Sequence, residues 1–286
     1  MLAAFRGEMF KVLRRPAVWV CIVALISLAV TFSYVLLGLV YSHPPKGSSQ
    51  GLPPGTTLSI FLVTLYPINF IKETLTTWAN LGGVFALIIG VLVQGSEFGW
   101  GTVKTLFTQR SGRLTMLAGK LVALAVMVML MVVGLFAATA AASVVVAVLE
   151  GADTTFPPAD VIAKGLGACF LIYGFWALLG LALATLFRQS AMAIGLGLAY
   201  ALVFENLVFG LLSLIGGNTI NQIHQWFPIA NTGYLIDSFG TVRIRALNTS
   251  VSPFADATHA VTILLIYVAA FIVVSAVVLR RRDVTS

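Results

Sequence analysis

Six runs of apolar residues alternate with shorter polar or mixed segments along this chain, at 17–41, 77–94, 116–149, 161–187, 190–215 and 259–280. At 1.5 Å per residue, about 20 residues of helix cross about 30 Å of hydrocarbon, so each run meets or approaches the length of a membrane span. The pattern predicts an all-α integral membrane fold of six transmembrane helices in one domain covering 1–286. The second run is the shortest. The third is long enough to tilt or to project past the bilayer. Only Phe187-Arg188-Gln189 separates the fourth from the fifth, which predicts a tight hairpin. The segments 42–76, 95–115 and 217–258 are longer. Within the first, the apolar stretch Thr57 to Phe70 is broken by Pro67 and predicts a short helix at the membrane surface.

Composition agrees with the pattern. The chain is 59% hydrophobic and 9% charged, with a mean hydropathy of +1.00. Soluble domains carry about 25% charged residues, so a water-soluble globule is excluded. Cys21 and Cys169 lie in apolar runs and predict neither a disulfide framework nor a thiolate site. His43, His224 and His259 are far apart and lack ligand spacing, so no metal is expected. The run 17–41 exceeds the apolar core of a signal peptide, and Ser42-His43-Pro44-Pro45 offers no cleavage site, so it reads as an uncleaved first span.

A net charge of +7 raises the question of nucleic acid. The distribution answers it. With a cytoplasmic N-terminus, Arg6, Lys11, Arg14, Arg15, Lys104, Arg110, Arg113, Lys120, Arg188, Arg280, Arg281 and Arg282 fall inside. Only Lys46, Lys72, Lys164, Arg243 and Arg245 fall outside. Twelve against five places both termini in the cytoplasm of a cell-membrane protein. The dispersed charges form no aromatic–basic reading surface, so no nucleic-acid partner is expected.

Ahead of the first span, Leu2, Phe5, Met9, Val12 and Leu13 recur at helical spacing among Arg6, Lys11, Arg14 and Arg15. This is an amphipathic basic helix suited to lipid headgroups, with Pro16 turning the chain into the bilayer. Between spans two and three, an acid and glycines lead into a short Thr/Leu/Phe segment and a Ser111-Gly112 turn. The residues allow a docking helix for a soluble partner as readily as a solvated basic loop.

With these features the chain resembles the permease subunits of type-2 ATP-binding cassette (ABC) exporters over nearly its whole length. In that family an N-terminal elbow helix corresponds to residues 2–15, with Phe5, Met9, Arg14 and Arg15 at its interface. A Glu-x-x-x-Gly-Thr-x-Lys loop ends in a Ser-Arg-like turn before Gly-Lys. Here Glu97, Gly101, Thr102, Lys104, Ser111, Arg113, Gly119 and Lys120 occupy those positions, and Arg110 lies beside them. Gly112 departs from the pattern as an insertion. The resemblance implies that loop 95–115 docks on a cytosolic ABC ATPase, that a second permease copy or homologue completes the assembly, and that an amphipathic or hydrophobic substrate moves outward. It also implies short helices dipping into the outer leaflet between spans five and six, near Trp226 to Asn231.

The chain has no phosphate-binding loop of its own. Gly119-Lys120 has Leu114 where the first glycine belongs and Leu121 where the hydroxyl belongs. It is therefore expected not to be an enzyme by itself and to bind no cofactor, with ATP and Mg held by the partner. Glu205 is the acid deep in a span, with Asn206 beside it as a possible network partner. It marks either a translocation path or a polar contact between helices, within the chain or across a dimer. Two further classes stay open. An ion-driven secondary transporter calls for several intramembrane carboxylates. An ABC-like assembly doing mechanical or regulatory work on an extracytoplasmic partner predicts the same permease. An intramembrane enzyme calls for paired catalytic groups at one depth, which the spans lack.

Overall fold

A computed structural model describes residues 2–43, 58–99, 113–240 and 256–281. Helix α1 covers Leu2–Leu13. Pro16, whose fixed φ suits a first helical turn, then opens α2, Pro16–Ser42. Short 3-10 segments at Leu58–Leu65 and Pro67–Asn69 lead into α3, Phe70–Gly99. Helix α4 spans Arg113–Leu149 and α5 spans Ala159–Phe187. Helix α6, Ser190–Ala199, passes through a π-helical turn at Tyr200–Phe204 into α7, Glu205–His224. Helix α8 is Pro228–Asp237 and α9 is Ala257–Arg281. No strand occurs among the described residues.

Six of these stretches are long and apolar enough to cross a membrane: Pro16–Ser42, Pro67–Gly95, Leu114–Leu149, Ala159–Phe187, Ser190–Leu212 and Ala257–Arg281. The architecture is that of an all-α, multi-pass membrane protein. The second span starts well before the residue 77 expected from hydropathy. Pro67 begins a 3-10 turn rather than ending a surface helix, so Lys72 and Glu73 belong to α3 and not to an external loop.

Helices α3 and α5 form the centre, and small residues decide how closely they approach. A methyl group at Gly90 would collide with the carbonyl of Ala177, and one at Gly180 with the carbonyl of Leu87. Gly82 and Gly83 make room for Tyr173 and Trp176, both buried. Such backbone approach is how helices gain packing energy in lipid, where no hydrophobic force separates helix from acyl chain. Two polar bonds add direction: the Tyr173 hydroxyl donates to the Trp78 carbonyl at 3.0 Å, and the Trp78 indole donates to Ser33 at 2.8 Å. Gly180 and Gly197 pack closely, whereas Gly174 and Gly195 face open space. The tight α5–α6 hairpin turns on Arg188, whose φ of 54° is left-handed.

Candidate functional site: a capped helical hairpin and a basic joint

Near one end of the bundle, α7 doubles back. A straight helix of its length would hold its ends about 30 Å apart. Instead Glu205 Oε1 lies 3.5 Å from His224 Nε2, and the rings of Phe209 and His224 stack at 4.3 Å. Gly216 and Gly217, the residues freest in φ and ψ, fall midway along the returning segment. A turn at Gln225–Phe227 then feeds α8, where Pro228 stands at the start of the helix.

Glu205 closes this hairpin. It is fully buried. Its carboxylate accepts the backbone N–H of Ile229 at 3.1 Å, the N–H of Ala230 at 2.9 Å and the Tyr200 hydroxyl at 2.9 Å. Tyr200 precedes Glu205 by five residues, the period of the π-turn that joins α6 to α7, so the turn aligns donor with acceptor. The first N–H groups of a helix have no partner within it, and the positive end of the helix dipole favours an anion there. Hydrogen bonds to a charged group contribute about 1.5–3 kcal/mol each, enough to offset much of the cost of burying the carboxylate. Asn231 Nδ2 completes the turn by donating to the carbonyls of Gln225 and Phe227, both at 2.7 Å. The N-terminus of α8 therefore lies level with Glu205. That is about 10 Å along the span from Leu212. Non-helical backbone at such depth needs every polar group satisfied, and Glu205 and Asn231 supply the partners.

The sequence singled out Glu205 and offered Asn206 as its partner. The partners observed are Tyr200, Ile229 and Ala230, with His224 close by; the Asn206 side chain lies outside the described residues. Asn231 was visible only as part of an aromatic-rich segment, although Pro228 marked a helix start that a carboxylate could cap. Glu205 is also not the sole acid within a span. Glu73 lies in the first turn of α3 and accepts from Thr77 at 2.8 Å.

At the opposite end, where the N-terminus lies, polar side chains tie three elements together. The Arg15 guanidinium donates to the Leu92 carbonyl of α3. Lys120 of α4 donates to Gln94 of α3 at 2.9 Å, both side chains being buried. Helix α1 packs along α4, with Val12 buried and Met9 against the core. Lys11 and Glu8 pair at 2.8 Å. Phe5 is half-buried, while Arg14 is exposed and stacks over Phe10 at 4.5 Å. Lys120 entered the charge count as a loop residue, yet it sits within α4 as a buried donor.

Of the expected docking residues, Glu97 lies in the last turn of α3 and Arg113 opens α4. Gly101, Thr102, Lys104 and Arg110 fall outside the described residues. Both stems of the loop that carries them are thus positioned, and Gln94 and Lys120 lie about two turns from its ends along α3 and α4. Among the described residues no cluster of His, Cys, Asp or Glu could hold a metal ion.

The family described as "protein of unknown function (DUF2705)" matches residues 64–285. No curated protein matches the chain.

Proposed function

This chain belongs to the DUF2705 family, and we propose that it is the membrane permease subunit of an ABC exporter. In this reading both termini are cytoplasmic in the cell membrane, as the Lys/Arg asymmetry favours. Helix α1 is an interfacial elbow, with exposed Phe10 and Leu13 facing lipid beside Arg6 and Arg14. Loop 100–112 docks on a separate ATPase that holds ATP and Mg. A second permease copy or homologue completes the path.

The observation that carries the reading is the joint at the N-terminal end. Arg15 joins the α1–α2 junction to α3, and Lys120 joins α4 to α3 through Gln94. A push on the loop between α3 and α4 would therefore move the elbow and three spans together, as rigid-body alternating access requires. The α7–α8 hairpin supports the same reading: it folds back into the far half of the bundle, where an exporter's exit would lie. The capped Glu205 acts here as the fastener of that hairpin. The substrate is amphipathic or hydrophobic and moves outward.

Co-purification tests the proposal. Tagged chain extracted in mild detergent recovers a P-loop ATPase, and the paired change Glu97→Arg with Lys104→Glu loses it. Extraction that yields no ATPase, with the cellular phenotype intact in that double variant, overturns it.

A further inference from the structure

We infer that the groove between α2 and α4, at the end of the bundle away from the N-terminus, binds an amphiphile with an ammonium head. To call that amphiphile the cargo rests on the permease reading, whereas the binding itself is read from the groove. The cavity measures about 310 Å³. One wall is the α2 segment that contains a π-helical stretch, Val30–Leu36. Ala142 to Glu150 at the end of α4 forms the other. π turns inside α-helices are frequent at functional sites.

Size selects the occupant. Ala142 and Glu150 are eight residues apart, about 12 Å along a helix. A groove of that length and volume takes a single alkyl chain.

Polar groups select the head. Among the described residues the lining contains Tyr34, Ser42 and Glu150 as its polar side chains, and no Lys, Arg or His. Glu150 stands exposed at the mouth, just past the last helical residue of α4, and offers its carboxylate to a cation. Ser42 is spent on the Gly38 carbonyl at 2.6 Å. Tyr34 is 3% exposed, and its hydroxyl, beside Thr74 and Glu73, finds no partner of good hydrogen-bond geometry. A buried hydroxyl left this way is destabilising, and a polar atom on a ligand removes that cost. An ammonium at Glu150, an alkyl chain along Val35, Leu39 and Val145, and a polar linkage reaching Tyr34 satisfy the lining together.

Photolabelling of the purified chain in maltoside micelles tests this, with dodecylamine carrying a terminal diazirine as the probe. Saturable adducts are expected on peptides covering 34–42 and 142–150, displaced by dodecyltrimethylammonium and not by dodecyl sulfate or dodecanol. Glu150→Gln is expected to weaken saturable labelling about threefold to fivefold, the size of an exposed ion pair. Ala142→Trp should abolish it, with unchanged elution on gel filtration reporting an intact fold. Equal displacement by the sulfate and the alcohol overturns the inference, as do adducts elsewhere or undiminished labelling in Glu150→Gln. None of these outcomes depends on an ATPase, so loss of this site and loss of the permease reading are told apart by the co-purification above.

Discussion

Glu205 Oε1 accepts the backbone N–H of Ala230 at 2.9 Å, across 25 residues of chain that leave the span and return to it. The carboxylate caps a helix N-terminus at a depth where water is scarce. Its second oxygen serves Ile229 and Tyr200. Glu205→Gln keeps one acceptor but turns an NH₂ group toward an N–H, so the hairpin should lose about 1.5–3 kcal/mol. Glu205→Ala should lose more. Tyr200→Phe, which leaves both backbone bonds, should cost only about 0.6 kcal/mol. Thermal unfolding in detergent ranks the three. A cysteine at Ala230 should react faster with a membrane-impermeant maleimide in the Gln variant. Equal reactivity in both backgrounds would mean that the carboxylate does not hold the hairpin.

Two glycines should be irreplaceable and two should be indifferent. Gly90→Ala and Gly180→Ala each drive a methyl group into a backbone carbonyl of the facing helix. Relief requires α3 and α5 to separate, at about 1–3 kcal/mol for each change. Gly174→Ala and Gly195→Ala meet nothing within 4 Å, and their melting temperatures should match or slightly exceed the parent's, since alanine is the better helix former. Melting curves on the four variants decide the matter. A loss at Gly174 as large as that at Gly90 would contradict the packing described.

Lys120 and Gln94 should behave as a coupled pair. Gln94→Leu leaves a buried ammonium short of one acceptor, and Lys120→Met leaves a buried amide short of its donor. Each should cost about 1–3 kcal/mol. The double variant should cost less than the two added together, because it removes both unsatisfied groups. A double-mutant cycle on thermal stability measures this, and simple additivity would deny the contact.

The spans were legible because lipid leaves a coarse signal. Twenty-odd apolar residues with few charges admit one reading, and hydropathy found all six. Pro16 and the Phe187-Arg188-Gln189 turn were equally plain, since proline and very short loops restrict the backbone. The start of α3 was missed because Lys72, Glu73 and a run of threonines make its first turns look like a loop. In the fold, Thr74 is buried against Thr139 and Thr77 donates to Glu73, so these polar groups are satisfied within the bundle. Glu205 stood out as an acid in an apolar run, but its partners did not. Two of its three donors are backbone N–H groups, which carry no side-chain signature and become neighbours only because α7 doubles back. The buried pairing of Lys120 with Gln94 was hidden for a related reason, since a lysine seven residues into a span reads as the edge of a basic loop.

The most direct test of the account is to place a photocrosslinking amino acid at Thr102, with Phe156 in the far-end turn between α4 and α5 as the control, and to irradiate living cells. The account predicts an adduct at position 102 with a protein that contains a P-loop, and none at 156. Absence of any such adduct at Thr102, and likewise at Gly101 and Lys104, in cells where the chain still performs its role would contradict it.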